Sequence, residues 1–330
     1  MTGRPAARCV ALSEGTGRGA GPWAAESTAD ASAWFRRRTM ATTDDVAEVA
    51  AHLAGRRVSV VLPARDEEST IGDIVRSIRR ELVEKVGLVH EVIVVDSRSS
   101  DGTAQRAARA GAMVYRVGPR GRDGGKGGAM QTGLARMSGE VGVFLDADIE
   151  DFDPSFVVRL LDPLLRDPSL VMVKGFYDRP SPGGGGGRVT ELVARPLLRR
   201  IEPRLLGFIQ PLAGECAFVR EPLLRLPFVS GYGVEIGMLL QVLRAHGLDA
   251  LGQVDLGVRR HSHQDLDALA RMTVQLENAA TLCLGGGAHL AGERVAFRRG
   301  PSGTMELRRE RIHTWLLPPL RSTTHPSSEE

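Results

Sequence analysis

The segment VFLDADIEDFDP, residues 143–154, holds five carboxylates: Asp146, Asp148, Glu150, Asp151 and Asp153. Asp146 and Asp148 stand two residues apart at the end of an apolar run. In extended chain such side chains point the same way, so the pair could share one hard divalent cation through oxygen ligands. The competing reading is an acidic turn that caps a helix starting near Asp153. Lys126 lies in the glycine-rich GRDGGKGGAM, residues 121–130. Backbone N–H groups and an ammonium there suit phosphate. Gly127 departs from the Walker pattern, and a solvated lysine on a flexible loop is the alternative. Five glycines, residues 183–187, precede Arg188 and Thr190 at the opening of a helix. Free N–H groups, the helix dipole and a guanidinium make an anion site, unless the run is a linker.

Three further positions carry possible chemistry. Asp96 ends the apolar EVIVVDS; it could accept from a nucleotide, or cap the helix after Asp101. His261 and His263, in RRHSHQD, could supply one neutral imidazole to a metal or be ordinary surface residues. Glu235 has apolar neighbours in GYGVEIGMLL. A carboxylate there is costly to bury alone, so it reads as a sugar-hydroxyl acceptor or as an exposed group.

The elements that must position these groups follow from periodicity. VSVVLPA, residues 58–64, is a continuous apolar run, as in a strand buried on both faces. Ile71, Ile74, Val75, Ile78 and Leu82 fall at helical spacing behind a Ser69 or Thr70 cap. A strand over 91–97, a helix over 101–111 closed by Gly111, a strand over 112–118, a short helix over 129–137 and a strand over 141–148 follow. A helix is expected over 42–55. Strand–helix–strand units of this length build a parallel sheet with right-handed crossovers, and its ligands bind beyond the carboxyl ends of the strands. Residues 63–68, 96–100 and 146–148 are three such ends, all polar. In the second half the spacing predicts helices over 153–165, 234–246 and 264–283 and strands over 170–180 and 250–257.

Composition excludes several classes. The net charge of +3 sits in residues 1–40, which hold six arginines and three acids, so the remainder sums to zero. Nucleic-acid binding by the body is unsupported. Cys9, Cys216 and Cys283 are far apart, which gives neither a zinc pattern nor a disulfide framework and points to a reducing cytoplasm. No apolar run approaches the roughly 18 residues of a membrane span, and no signal core opens the chain.

Taken in order, VSVVLPARDEESTI, VIVVDSRSSDGT, GKGGAM and VFLDAD resemble the nucleotide-sugar half of a glycosyltransferase of the A fold. GGGRVTELVARPLL, QPLAGE, LPFVSGYGVEIG and GLDALGQVDLGVRRH closely resemble glucosyl-3-phosphoglycerate synthases, whose framework mannosyl-3-phosphoglycerate synthases share. The likeness spans residues 56–285, with an echo at Trp34 and at 313–315. It implies an α/β fold with a Rossmann-like, mostly parallel sheet. The expected organisation is a disordered basic arm over 1–40, a nucleotide-sugar-binding part over 41–150, an acceptor-binding part over 151–290 and an extended tail over 291–330. It also implies a homodimer and a retaining, Mg²⁺- or Mn²⁺-dependent transfer of hexose to 3-phosphoglycerate, with UDP-glucose the favoured donor. Pro63, Ala64 and Glu67 would line the base and ribose pocket, and Asp96 and Ser97 would hold the nucleoside. Lys126 would meet the donor sugar or diphosphate, and Glu235 the hexose hydroxyls. Asp146, Asp148 and His261 would bind the metal, with Asp148 the direct ligand. Gly187, Arg188 and Thr190 would grip the acceptor phosphate. His263 stands where an asparagine helps hold the acceptor, Gly128 where glucosyl enzymes carry a glutamate, and Arg65 replaces a leucine beside the base pocket. GDP-mannose or GDP-glucose is therefore an alternative donor, and a membrane-associated transferase acting on a polyprenyl phosphate is a further alternative.

Overall fold

A computed structural model describes residues 22–117, 124–178, 187–259, 266–299, 301 and 303–321. The chain runs α1 (Pro22–Arg38), β1 (Thr39–Met40), α2 (Val46–Ala51), β2 (Val58–Ala64), α3 (Ile71–Ile78), β3 (Glu91–Asp96), α4 (Thr103–Arg109), β4 (Met113–Arg116), α5 (Gly125–Arg136) and β5 (Val141–Phe144). It continues with α6 (Ser155–Arg166), β6 (Met172–Asp178), α7 (Arg195–Ile201), β7 (Cys216–Val219), α8 (Arg220–Leu224), β8 (Phe228–Val229), α9 (Val234–His246), β9 (Leu251–Val258), α10 (Leu266–Cys283), β10 (His289–Arg299) and β11 (Met305–Leu317).

Eight strands form one sheet in the order β1-β9-β6-β7-β5-β2-β3-β4. Neighbours are parallel except at β7, which runs antiparallel to both β5 and β6. The apolar runs explain why the centre of this sheet lies inside. Val60, Leu62, Val92 and Val94 join the core on one face, with α3 and α6 residues such as Ile74 and Leu160. Val61, Ile93 and Val95 join the core on the other face, with Met130 and Leu134 of α5 and Leu239 of α9. Alternation sends successive side chains into opposite layers, and each fully buried aliphatic contributes about 1.5–3 kcal/mol. The mostly parallel α/β architecture expected from the sequence is the one present.

Element ends deliver the polar groups to one lip. The helix expected from residue 129 begins instead at Gly125, so Lys126 stands in its first turn. A Cβ at Gly127 would run into the carbonyl of Val229, and only a glycine lets α5 seat on β8. Towards its other end, the helix expected over 42–55 is confined to α2, whose start Asp45 caps by accepting from the N–H groups of Ala47 and Glu48.

Two expectations are corrected. The disordered arm over 1–40 fails from Pro22 onward, where α1 forms and β1 pairs with β9. Trp34 is fully buried; its ring lies 4.3 Å from that of Phe208 and its Nε1 donates to the Leu248 carbonyl at 3.2 Å. One large aromatic thus anchors a segment whose average composition reads as unstructured. Residues 1–21 lie outside the described residues. The extended tail over 291–330 is, through Leu317, a hairpin: β10 and β11 pair antiparallel from His289↔Trp315 to Arg299↔Met305, and β11 joins β8 at Leu316↔Val229. Its inner face is tied to α10, where Asn278 Nδ2 donates to the Ile312 carbonyl at 3.3 Å and to Thr314 Oγ1 at 3.1 Å. The hairpin therefore belongs to the second half of the body and is not an appendage.

Candidate active site

The loops after β2 and β3 are locked together. Asp66 accepts from the Ser100 N–H at 2.7 Å, the Asp66 N–H donates to Ser99 Oγ at 2.9 Å, and the Glu67 N–H donates to Thr103 Oγ1 at 2.8 Å. Glu68 accepts from the Gly102 N–H at 3.0 Å and from Arg106 at 2.9 Å. Asp66 and Arg98 hold φ values of 57° and 62°, strained for residues with a Cβ but fixed by these bonds. Asp96 is buried and committed within this framework: it accepts from the Ser99 N–H at 3.0 Å and pairs with Arg116 at 3.2 Å. Ser97, also buried, leaves its Oγ without a partner among the described residues. Pro63 and Ala64 complete this edge, half-buried and buried respectively.

The turn after β5 is pinned from behind, because Thr70 Oγ1 donates to the Ala147 carbonyl at 2.6 Å. The Ala147 side chain is buried, which turns Asp146 and Asp148 outward. Lys126 Nζ lies 2.7 Å from Asp146 Oδ1 and 2.7 Å from Glu235 Oε1. Arg259, at the end of β9, reaches Asp146 at 3.3 Å and Asp148 at 2.6 Å. It also pairs with Glu215, donates to Tyr177 Oη at 2.7 Å and lies over the Tyr177 ring. Two cations thus interleave four carboxylates drawn from the turn after β5, from α9 and from the residue before β7.

The electrostatics follow from these contacts. Burial opposes the charge on Asp146, but Lys126 and Arg259 outweigh it and hold the carboxyl well below the usual range. Burial likewise opposes the charge on Lys126, and Asp146 and Glu235 hold it well above the ordinary lysine value. Arg259 is kept protonated in the same way, chiefly by Glu215 against burial. Among the described residues no cation plays that part at Glu67. Burial, then the fields of Asp148 and Asp146, push it up to about 7.

The donor set fits a divalent cation. Asp146 and Asp148 already converge on a positive group, the Arg259 guanidinium, and present the oxygen ligands that hard ions prefer. A Cβ at Gly214 would overlap the Asp146 carboxylate, so the backbone forms a tight wall behind it. No group of three or more histidine, cysteine or acidic residues is arranged to hold a metal among the described residues. His261, the third expected ligand, lies outside them, as does His263; Arg259, two residues earlier, brings the chain to the pair.

The structure therefore brings together Lys126, Asp146, Asp148 and Glu235, and sets Glu67 within their field. Gly187, Arg188 and Thr190 open the helical segment that leads into α7; Gly187 has a φ of 79°, Arg188 is exposed and Thr190 is buried. Arg259, Glu215 and Tyr177 were missed. Arg259 was masked by the two histidines after it, although an arginine closing an apolar strand is itself a signal. Glu215, a carboxylate between QPLAG and CAFV, was the other.

The profile of the family "Glycosyl transferase family 2" matches residues 59–225. A glucosyl-3-phosphoglycerate synthase of Mycolicibacterium smegmatis is 47% identical over 244 residues, covering 70% of this chain and 78% of that one. Its counterpart in Mycobacterium tuberculosis is 46% identical over 249 residues, covering 70% and 74%. The structure of the M. tuberculosis enzyme in complex with Mn²⁺, uridine-diphosphate-glucose and phosphoglyceric acid superposes with a TM-score of 0.69 at 40% identity, covering 83% of this chain and 94% of that one. Mannosyl-3-phosphoglycerate synthase from Rubrobacter xylanophilus superposes with a TM-score of 0.76 at 35% identity, covering 88% and 97%.

Proposed function

Because the chain belongs to glycosyl transferase family 2 and, within it, to the glucosyl-3-phosphoglycerate synthases, we propose that it moves glucose from UDP-glucose to 3-phosphoglycerate, giving glucosyl-3-phosphoglycerate. The observation that carries this reading is the Lys126 ammonium held at 2.7 Å from both Asp146 and Glu235, beside Asp148. Asp146 and Asp148 would hold Mg²⁺ or Mn²⁺, which when bound would neutralise charge on the departing diphosphate.

The chain's own residues do the rest. Lys126, protonated throughout the neutral range, donates to the diphosphate from the first turn of α5, where the helix N–H groups also face anions. Glu235 orients Lys126 and accepts from a hexose hydroxyl. Pro63, Ala64 and Glu67 line the nucleoside pocket. Ser97 Oγ, buried and without a partner among the described residues, bonds the nucleoside, while Asp96 closes the loop that presents it. Gly187, Arg188 and Thr190 anchor the acceptor phosphate and so place the glycerate hydroxyl, and His261 and His263 complete the metal and acceptor sides. The hydroxyl oxygen bonds the anomeric carbon as the bond to UDP breaks. Attack from the face the diphosphate leaves, as retention requires, passes the proton to a leaving phosphate oxygen, with no protein nucleophile.

The decisive experiment incubates the protein and Mn²⁺ with 3-phosphoglycerate and, separately, UDP-glucose, GDP-glucose and GDP-mannose, and follows nucleoside diphosphate release. Release with UDP-glucose well above the guanosine donors is expected. Absence of release with every donor would overturn the reading.

No helix among the described residues is long and apolar enough to cross a membrane. We place the protein in the cytoplasm because Cys216 and Cys283 are buried free thiols, which a reducing compartment preserves; cell fractionation tests this. A homodimer belongs to the same proposal. Leu192 and Phe297 are 74% and 67% exposed, and light scattering at a single-chain mass would exclude it.

A further inference from the structure

One buried charge has no part in the chemistry above. Lys174, in the middle of β6, is fully buried. It lies between Cys216 of β7 and Gln253 of β9 in the sheet register. An ammonium is expensive to remove from water, and a methionine would fill a similar volume without that cost. Burial pulls the Lys174 ammonium below the ordinary lysine range, opposed by Cys216, Glu235 and Glu215. Its hydrogen bond is specific: Nζ donates to the Ala213 carbonyl at 2.6 Å.

That carbonyl opens the wall of the cation site. The next residue, Gly214, has its backbone so close to Asp146 that a Cβ would overlap the carboxylate. The residue after it, Glu215, pairs with Arg259 through its side chain and accepts from the Gly175 N–H at 2.9 Å through its carbonyl. Gly175 directly follows Lys174 on β6. Two consecutive β6 residues therefore grip the same three-residue segment, one by side chain and one by backbone. The segment touches both the metal-facing carboxylate and the arginine that spans the pair.

We propose that Lys174 is a positioning residue of the cation site: through Ala213 it holds Gly214 and Glu215 in place behind Asp146 and Arg259. The inference rests on the cation-dependent transfer proposed above and deepens it. Lys174 touches neither donor nor acceptor; it acts on the geometry of Asp146.

The test is Mn²⁺ binding to the full chain with UDP, read from the free Mn²⁺ electron paramagnetic resonance signal, which needs no turnover. The wild-type protein, Lys174→Met and Lys174→Gln are compared. Lys174→Met is expected to bind Mn²⁺ at least fivefold more weakly. Lys174→Gln, which keeps an N–H donor on a shorter side chain, is expected to fall between. In turnover the half-saturating Mn²⁺ concentration should rise in parallel, while KM for 3-phosphoglycerate stays within twofold. Mn²⁺ affinity within twofold of wild type in Lys174→Met overturns the inference and leaves the proposed function intact. Absence of Mn²⁺ binding by the wild-type protein overturns both. If Lys174→Met fails to fold, wild-type affinity in Lys174→Gln overturns the inference. Failure of both variants to fold does so too, by assigning Lys174 to the core.

Discussion

Replacing Lys126 by methionine removes one ammonium from between two carboxylates. The side chains involved are 18% exposed for Lys126, 20% for Asp146 and 4% for Glu235, so water cannot easily take over. Taking one partner from a buried ion pair costs about 3–5 kcal/mol. Asp146 retains Arg259 at 3.3 Å, whereas Glu235 has no other cation within ion-pair distance among the described residues and is left without a counter-charge. Because Asp146 stays paired, the net cost is about 2 kcal/mol, or a fall in Tm of roughly 3 °C. Catalysis loses a donor aimed at the leaving diphosphate, which costs about 10²–10³ in kcat. The two effects separate in a double variant. Adding Glu235→Gln to Lys126→Met removes the stranded carboxylate and should restore stability to within about 1 kcal/mol without restoring kcat. Calorimetry and nucleoside diphosphate release measure the two quantities. The reasoning is wrong if Lys126→Met keeps more than about a tenth of wild-type kcat, or if the added Glu235→Gln leaves Tm where Lys126→Met put it.

Three other substitutions probe separate links. Glu67 is raised from 4.5 to about 7 in the folded chain, so its contribution to stability is fully present below pH 4.5 and is lost as pH rises through 7. With its partial exposure discounted, that loss is about 1–2 kcal/mol; Glu67→Gln should flatten it, and parallel urea-unfolding stabilities of the two proteins between pH 5 and pH 8 would contradict this. Trp34→Ala should cost about 3–5 kcal/mol and lower Tm while leaving KM for the donor unchanged, whereas an unchanged Tm would return the segment to the status of a loose arm. Gly214→Ala places a methyl against a carboxylate that Lys126 and Arg259 hold from the other side. It should cost about 1–3 kcal/mol and weaken Mn²⁺ binding, so a variant with wild-type kcat and Mn²⁺ affinity would show that the wall yields.

The parallel half was legible because burial on both faces leaves a plain mark. Val60, Val61 and Leu62 are each fully buried although successive residues point into opposite layers. A strand of this kind reads as an unbroken apolar run, and the first polar residue after it marks the sheet's lip. Asp96, Asp146 and Asp148 were found in this way. Lys126 and Glu235 were found as charges out of place, one among glycines and one on an apolar helix. Composition misled where a single residue decides: one tryptophan anchors α1, and averaging over residues 1–40 hides it. The hairpin was hidden by its arginines. Val295 and Phe297 stand two apart on one face of β10, as in a strand, but Arg308, Arg309 and Arg311 gave the segment the look of a basic tail.

Glu215 and Lys174 were not legible for a topological reason. Both belong to the part of the sheet where β7 runs backwards between β5 and β6. In the parallel strands, chain direction says which end faces the ligand, so a polar residue after an apolar run is a candidate. Reversal puts the start of β7 at the lip, and there the informative residue precedes the apolar run, as Glu215 precedes Cys216. Once β7 is known to be reversed, Glu215 must stand beside the end of β5, where Phe144 pairs with Cys216. A fully buried carboxylate at that place needs a cation, and β9 supplies Arg259. The same register sets Lys174 beside Cys216, within reach of the Ala213 carbonyl. The charged wall behind Asp146 is thus a consequence of one strand's direction, which is fixed by tertiary pairing and leaves no period in the sequence.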